Sequence, residues 1–496
     1  MTVHHTVHAN SLSDTDKPKE YCGVFGIYAP TEQVAKLAYF GLFALQHRGQ
    51  ESAGIATFDP DSDQESKLHV HKAMGLVSHV FSEEKLQELE GIWAVGHNRY
   101  STTGSSHHCN AQPALEDTRL GTLALAHNGN LVNIVELKDK LLSMDSELDF
   151  MTTTDSEMIA KAIAVYVDQG MNWSEAAIAA FKICTGAYSL VIGTPEGIIG
   201  TRDPQGVRPL VLGSFEEADG TTRYALASET CALDIIGADY IRDVEPGEMV
   251  WITESGFTST QWDEKPDRKL CVFEMIYFAR PDSIVHDETL FSYRLRLGAQ
   301  LAKESNIEAD LVMGVPDSGI PAAIGYSRAS GISFGEGLIK NRYVGRTFIQ
   351  PTQHMREVGI KMKLNPLKDV LHGKRIIIVD DSIVRGTTSL KIVRALRQAG
   401  AEEVHMCISS PPVTHPCFYG IDTDSQDHLI AATKTQAEIA AQIEVDSLTY
   451  LSKEGMLAVT KEDPTSFCTA CFDGNYPIEI PDSIKASKLI LEKATV

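Results

Sequence analysis

The sequence predicts two domains of different class. The amino-terminal half reads as α+β, with stacked sheets covered by helices, and the carboxyl-terminal half as α/β on a parallel sheet. Three observations carry this. Short β-like runs ending in glycine-containing turns fill the chain up to about residue 260. Beyond that point the rhythm becomes strand, loop, helix. Between them lies a polar, proline-bearing stretch at 261–268 (QWDEKPDR), which reads as a linker.

The elements follow in order. A strand is predicted over 24–28, and further β-like runs at 93–97, 123–127, 187–193, 197–201, 209–213, 225–228 and 248–253. Four helical patterns interrupt them, at 31–46, 134–143, 156–169 and 174–184. In the second half, 311–315 is a buried-type strand, followed by a Pro-Asp-Ser-Gly turn and a helix from Ile320. The strand at 375–381 contains Ile-Ile-Ile-Val, the fully apolar, β-branched run of a central parallel strand. A helix from about Ser389 carries Ile392, Val393 and Leu396 on one face and stops at Gly400, and the next strand is 404–409. This βαβ unit predicts the parallel sheet.

Composition bounds the function. The chain has 496 residues, 43% of them hydrophobic and 7% aromatic, enough for two or three soluble domains. Its net charge of -23 disfavours general nucleic-acid binding, which needs a basic face. An anionic ligand must instead be held locally, by backbone N–H groups, a few Arg or Lys side chains, or a metal. No apolar run is long enough to predict a membrane span. Residues 1–21 hold His, Ser, Asp and Lys but no apolar core, so they read as a disordered, removable leader rather than an export signal. The expected compartment is therefore the reducing cytoplasm, where the nine cysteines serve catalysis, metal binding or burial rather than a disulfide framework.

The most informative stretch is Val379-Asp-Asp-Ser-Ile-Val-Arg-Gly-Thr-Thr-Ser389, at the carboxyl end of the strongest strand and the start of a helix. Open α/β sheets bind ligands there. Asp380 and Asp381 suit ribose hydroxyls, directly or through Mg²⁺. Ser382 belongs to the same set. Gly386 lets the backbone approach an anion, and Thr387, Thr388 and the free N–H groups of the helix start can wrap a phosphate. Taken alone, the acid pair is a turn with capping residues; two hydroxyl residues after the glycine shift the balance toward phosphate. The stretch resembles the signature of type I phosphoribosyltransferases, which bind phosphoribosyl pyrophosphate (PRPP) with Mg²⁺. In that light Ser318, in Val315-Pro-Asp-Ser-Gly319, is a candidate for the metal or pyrophosphate. Lys340, Arg342 and Arg346, in a basic and aromatic stretch at 340–348, become a lid that clamps pyrophosphate.

Cys22 stands directly before the first strand. A thiol nucleophile needs a base, and a cut between Tyr21 and Cys22 frees an α-amino group on the same residue, titrating near about 8. A lone cysteine is more commonly a small buried hydrophobe. The surrounding motifs argue against that here: Cys22-Gly-Val-Phe-Gly26, Gln46-His-Arg-Gly-Gln-Glu-Ser-Ala-Gly54, Gly96-His-Asn-Arg-Tyr-Ser-Thr-Thr-Gly104, His127-Asn-Gly-Asn-Leu131 and Thr154-Asp-Ser-Glu157. Together they resemble the N-terminal-nucleophile (Ntn) glutamine amidotransferases, whose fold is an αββα sandwich. Amide hydrolysis passes through an oxyanion, for which the Asn128 side chain and Gly129 N–H are the candidate donors. Arg99 suits the α-carboxylate of glutamine as a fork and Asp155 its α-ammonium. Singly, Arg99 reads as a surface ion pair and Asp155 as a helix cap; the ordered set is what carries the reading.

Both halves together, over roughly 22–475, resemble the glutamine PRPP amidotransferases, and specifically a branch with a cleaved leader and an iron–sulfur cluster. The resemblance implies a leader at 1–21, a class II glutamine amidotransferase domain at 22–264, and a phosphoribosyltransferase domain at 265–496 with a carboxyl-terminal cluster-binding segment. It implies that ammonia released from glutamine at Cys22 displaces pyrophosphate from PRPP, giving 5-phosphoribosylamine, the first step of purine synthesis, through a water-poor passage. It further implies a [4Fe–4S] cluster on Cys271, Cys417, Cys468 and Cys471, homotetramers, and inhibition by AMP and GMP. By their motifs alone the four thiols suit Zn²⁺ equally. Cys109, Cys184, Cys231 and Cys407 lack such context and read as buried. The rival from another class is a PRPP-binding regulatory protein without chemistry, which has no need of Cys22, Arg99, Asn128 and Asp155.

Overall fold

The computed structural model describes residues 22–63, 66–100, 107–217, 219–341, 364–421, 423, 425–482 and 484. The leader 1–21 and two of the lid cations, Arg342 and Arg346, lie outside the described residues. The chain forms two compact units. One gathers the described residues of 19–294, 415–424 and 457–496, the other those of 295–414 and 425–456.

The first unit is built on two antiparallel sheets. Seven strands run in the order Asp239–Asp243, Val211–Glu216, Thr222–Ala227, Gly23–Tyr28, Trp93–Arg99, Ser52–Phe58, Leu68–Met74. Six more run in the order Gly256–Gln261, Glu248–Thr253, Gly197–Arg202, Gly186–Thr194, Gly121–Leu131, Ala114–Thr118. The period of two sorts the first strand's side chains. Val24 and Tyr28 join Trp93, Val95, Ala124, Ala126 and Val191 in a core between the sheets. Phe25 and Ile27 face outward and pack with Val34, Ala38 and Leu42 of helix Val34–Ala44. Helix Asp155–Asp168, flanked by Ile134–Met144 and Trp173–Phe181, covers the second sheet. The layers are helix, sheet, sheet, helix, as the resemblance implies. Each fully buried aliphatic side chain in such a core stabilises it by roughly 1.5–3 kcal/mol.

Five strands of these two sheets escape the sequence pattern: Ser52–Phe58, Leu68–Met74, Ala114–Thr118, Asp239–Asp243 and Gly256–Gln261. The first is rich in small residues, and the last four stand at the edges of their sheets or next to them, where His69, His71, Lys72, Glu116 and Asp117 face solvent or half-buried surroundings. The stretch 261–268 is not a linker between the units. Trp262 is buried and its indole donates to Thr201 Oγ1 at 3.0 Å. The backbone N–H groups of Asp267 and Lys269 donate to Pro204 O and Gln205 O at 3.0 and 2.7 Å. Polar composition reported exposed side chains correctly and was silent on the backbone's partners. The packing boundary accordingly falls after Arg294, not at 264/265.

The second unit holds a four-stranded, all-parallel sheet in the order Leu311–Gly314, Arg375–Asp380, Glu403–Ile408, Ser447–Tyr450. Residues 376–379 are fully buried. Ile376 and Ile378 share a core with Ile392, Val393 and Leu396 of helix Thr387–Gln398, which starts two residues earlier than the periodicity predicts. An antiparallel pair, Leu338–Lys340 with Leu364–Pro366, belongs to the same unit. Among the described residues no helix is long and apolar enough to cross a membrane.

Candidate active sites

The parity of the two central strands sets the first site. Cys22 lies two residues before Val24, and Asn128 two after Ala126, so thiol and carboxamide enter the inter-sheet layer from opposite sheets. Cys22, Arg99, His127, Gly129 and Asp155 line one small cleft. Burial pushes the Cys22 thiol up to about 11 against the pull of the Arg99 guanidinium, and its Sγ lies 3.6 Å from Tyr100 O. The thiol therefore needs a base to ionise. Asn128 is wholly buried, and neither its Nδ2 nor its Oδ1 has a partner among the described residues. An amide left so in a core costs about 1–3 kcal/mol, and persists where a ligand is to meet it. Gly129 has φ +150, and a Cβ there would stand 2.0 Å from Ala187 O, so the position admits glycine only.

Arg99 is 2% exposed and not a surface ion pair. Asp155 is the first residue of its helix, with Thr154 as the cap. Its Oδ2 accepts the Leu131 N–H at 2.9 Å, and its Oδ1 lies 3.5 Å from His127 Nδ1. Burial pushes the carboxyl up, but the His127 ring and that N–H outweigh it and hold it below its usual range. It is thus an anion ready for an ammonium group. Sequence reasoning quoted His127 within its motif without giving it a role. It also missed Gln112 and Ser156, which join His127: Gln112 Oε1 accepts the His127 N–H at 2.8 Å, Gln112 Nε2 donates to Ser156 Oγ at 2.9 Å, and Ser156 Oγ meets His127 Nδ1 at 3.1 Å. Only the fold brings 112, 127 and 156 together. A second omission is Arg48, whose Nε donates to Cys22 O at 3.2 Å.

The second site lies at the carboxyl end of strand Arg375–Asp380. Asp380, Asp381 and Ser382 are buried, at 3%, 1% and 3% exposure. Ser318 Oγ donates to Asp381 Oδ1 at 2.6 Å, and Ser382 Oγ to Asp381 Oδ2 at 2.8 Å. The two strand-end loops singled out in the sequence thus meet at one carboxylate. Gly386 takes φ +78 as the cap of helix Thr387–Gln398, placing Thr387 and Thr388 in its first turn. Lys340 pairs with Asp317 at 2.5 Å, and both line a cavity of about 230 Å³ beside the Ser318 loop. Lys340 is thereby placed beside the predicted pyrophosphate loop.

Cys271, Cys417, Cys468 and Cys471 all belong to the first unit. Cys271 pairs with Cys468 across two short parallel strands. Cys471 O accepts the His415 N–H at 3.1 Å, and Cys417 Sγ accepts the Tyr419 N–H at 3.4 Å. All four are buried and unbridged. Burial pushes the Cys271 thiol up to about 11 and also raises Cys468 and Cys471, with the neighbouring thiols of the group adding to it. Among the described residues, no three His, Cys, Asp or Glu side chains converge on one point as a single ion requires. Cys184, Cys231 and Cys407 are buried as expected, but Cys109 is exposed, on a short turn (His108–Asn110) at the surface.

Comparison with known proteins gives the same two halves. A family model described as a glutamine amidotransferase domain matches residues 97–234, and one described as a phosphoribosyl transferase domain matches 294–412. The chain is 72% identical to the amidophosphoribosyltransferase of Synechocystis over 480 residues, covering 97% of this chain and 95% of that one. To that of Bacillus subtilis it is 48% identical over 479 residues, covering 95% and 96%. Among solved structures it is similar to the B. subtilis glutamine PRPP amidotransferase complexed with ADP and GMP, at TM-score 0.84 and 46% identity, covering 93% of this chain and 98% of that one.

Proposed function

The chain belongs to the amidophosphoribosyltransferases, and we propose that Cys22 opens glutamine while the 380–389 loop holds the PRPP that receives the ammonia. The observation that supports this most is the Asn128 carboxamide, buried without partners in the layer that Cys22 enters. A hydrogen-bond donor kept waiting there has its use when charge develops on a tetrahedral oxygen.

With the leader removed after Tyr21, the Cys22 α-amine takes the thiol proton and the thiolate attacks the γ-carboxamide. Asn128 Nδ2 and the Gly129 N–H receive the oxyanion. The amine returns its proton to the departing nitrogen, leaving a thioester and free ammonia, and water then releases glutamate. Arg99 holds the substrate's α-carboxylate and Asp155 its ammonium. In the other half, Asp380 and Asp381 take the ribose hydroxyls, and Thr387, Thr388, Ser382 and the Gly386 backbone take the 5-phosphate end. Lys340 is assigned to pyrophosphate, and so, by the resemblance alone, are Arg342 and Arg346. Mg²⁺ on Ser318, Asp380 and Asp381 would neutralise pyrophosphate charge as that group leaves. Ammonia attacks C1 of the ribose and pyrophosphate departs, giving 5-phosphoribosylamine.

The four thiols fit a [4Fe–4S] cluster in ligand type, number and burial, and the choice of that cluster over Zn²⁺ rests on the resemblance. Neither reaction is redox, so its role is structural or oxygen-sensing. Binding must displace thiol protons that burial holds firmly. By similarity to the relative complexed with ADP and GMP, purine nucleotides such as AMP and GMP act here as inhibitors. A cytoplasmic homotetramer completes the reading. Glutamine chemistry belongs to 22–264 and phosphoribosyl chemistry to 265–496, although 265–294 packs with the former.

The test is pyrophosphate release from PRPP with glutamine and, separately, with ammonia. Cys22→Ser should abolish the first and spare the second. Retention of glutamine-dependent release by that variant would overturn the assignment. A regulatory protein without chemistry would show neither.

A further inference from the structure

Beneath the Cys22 strand lies a buried chain of charges that the reaction above does not use. Arg48, 1% exposed, donates from Nε to Cys22 O at 3.2 Å. Its fork closes on Glu274, NH2 to Oε1 at 2.7 Å and NH1 to Oε2 at 3.0 Å. NH1 also reaches Glu229 Oε1 at 2.5 Å. On the far side of Glu274 stands Arg208, wholly buried, with NH1 3.4 Å from Oε1. Arg208 in turn donates from Nε and NH2 to Tyr419 O at 2.9 and 2.5 Å. The Tyr419 N–H is the one that Cys417 Sγ accepts. All of these residues lie in one compact unit.

Two guanidinium groups and two carboxylates out of water must be matched in geometry, because removing one leaves its partner charged and unpaired. The carbonyl at the end of this chain belongs to the residue whose thiol must meet an amide carbon within a few tenths of an ångström. We propose that Glu274, through Arg48, is a positioning residue for the Cys22 nucleophile, and that Arg208 on its other side ties that positioning to the Cys417–Tyr419 segment. Glu274 touches no substrate: it fixes the direction of the Arg48 fork, and the fork fixes the Cys22 carbonyl. Arg208 holds Glu274 from behind and is itself anchored on the backbone next to one of the four clustered cysteines. This inference rests on Cys22 being the nucleophile.

The test compares full-length wild type with Glu274→Gln, Arg208→Lys, the double variant and Cys22→Ser, with leader removal read by intact mass and rates expressed per processed chain. Glu274→Gln keeps the shape and removes the charge. The inference expects kcat for glutamine to fall on the order of 10²-fold. The glutamine KM and the ammonia-dependent rate should stay within about twofold. Arg208→Lys, which keeps the charge and loses the fork, should lower the same kcat by roughly tenfold. The double variant should be no worse than Glu274→Gln, because the two residues act in series. An unchanged kcat in Glu274→Gln, or an equal fall in the ammonia-dependent rate, overturns the inference. Should Glu274→Gln fail to fold, Arg208→Lys decides by the same criteria. If Cys22→Ser keeps glutaminase activity, the reading of Cys22 fails instead. If Cys22→Ser is inactive and Glu274→Gln matches wild type, only the Glu274 inference fails.

Discussion

The two candidate sites solve opposite electrostatic problems. The glutamine-type site is sunk in the core of a sandwich: Cys22, Arg99, Asn128 and Asp155 are 9%, 2%, 0% and 4% exposed. Its expected ligand carries one charge of each sign, so one buried cation and one buried anion suffice, with neutral donors for the rest. The phosphoribosyl-type site sits on the rim of a parallel sheet. Its carboxylates are buried, but Thr387 and Lys340 are exposed, as suits a polyanion that enters from water and leaves again. A chain of net charge -23 can hold such a ligand only by local means, namely a helix start, hydroxyl groups and a few lysines and arginines. The first site is preorganised by packing, the second by loop and helix geometry.

The comparison can be broken most directly at the sheet rim. Replacing Asp380 and Asp381 by Asn should remove pyrophosphate release with either nitrogen donor, on the order of 10³-fold, because both routes end on the same sugar. Survival of the ammonia-dependent rate in that variant would mean that PRPP sits elsewhere. At the sandwich site, Asn128→Ala should cost glutamine-dependent kcat about 10²–10³-fold and leave the ammonia-dependent rate alone. The same change deletes a buried amide without partners, so thermal unfolding should shift by little or move upward. A fall in melting temperature comparable to that of a core truncation would show that Asn128 is structural.

The smallest effect concerns pH. The Asp155 carboxyl is held below its ordinary value in the folded chain. Its stabilisation is therefore complete above the unfolded value near about 4 and is lost as pH falls through the lower folded value. Asp155→Asn should flatten the acid limb of stability in that window, read by denaturant midpoints, and leave neutral pH less affected in slope. An unchanged acid limb would mean that the His127 and Leu131 contacts to Asp155 do not act on its protonation.

Much of this was legible beforehand. The Ile-Ile-Ile-Val strand and the acid pair after it announced both the sheet and the site, because a buried parallel strand has a one-dimensional signature and its ligand loop follows at once in sequence. The amidotransferase motifs read well for a similar reason: each is a short, contiguous stretch, such as the strand end at 127–131 and the helix start at 154–157. What failed to read was set by partners distant along the chain. The stretch 261–268 looks like a linker until its backbone is seen bonded to 204 and 247. Cys109 looks like the other isolated cysteines until its turn is seen at the surface.

By itself, the sequence determined the classes of the two halves, the nucleophile candidate and the acid pair, since periodicity, turn chemistry and motif spacing are local properties. Only the tertiary structure decided that Cys22 and Asn128 share a layer, that Ser318 meets Asp381, and that Arg48, Glu274 and Arg208 form one buried chain. Those pairings join positions from 63 to 226 residues apart. Burial made them strong, and burial is a property of the packed fold that no local stretch of residues encodes.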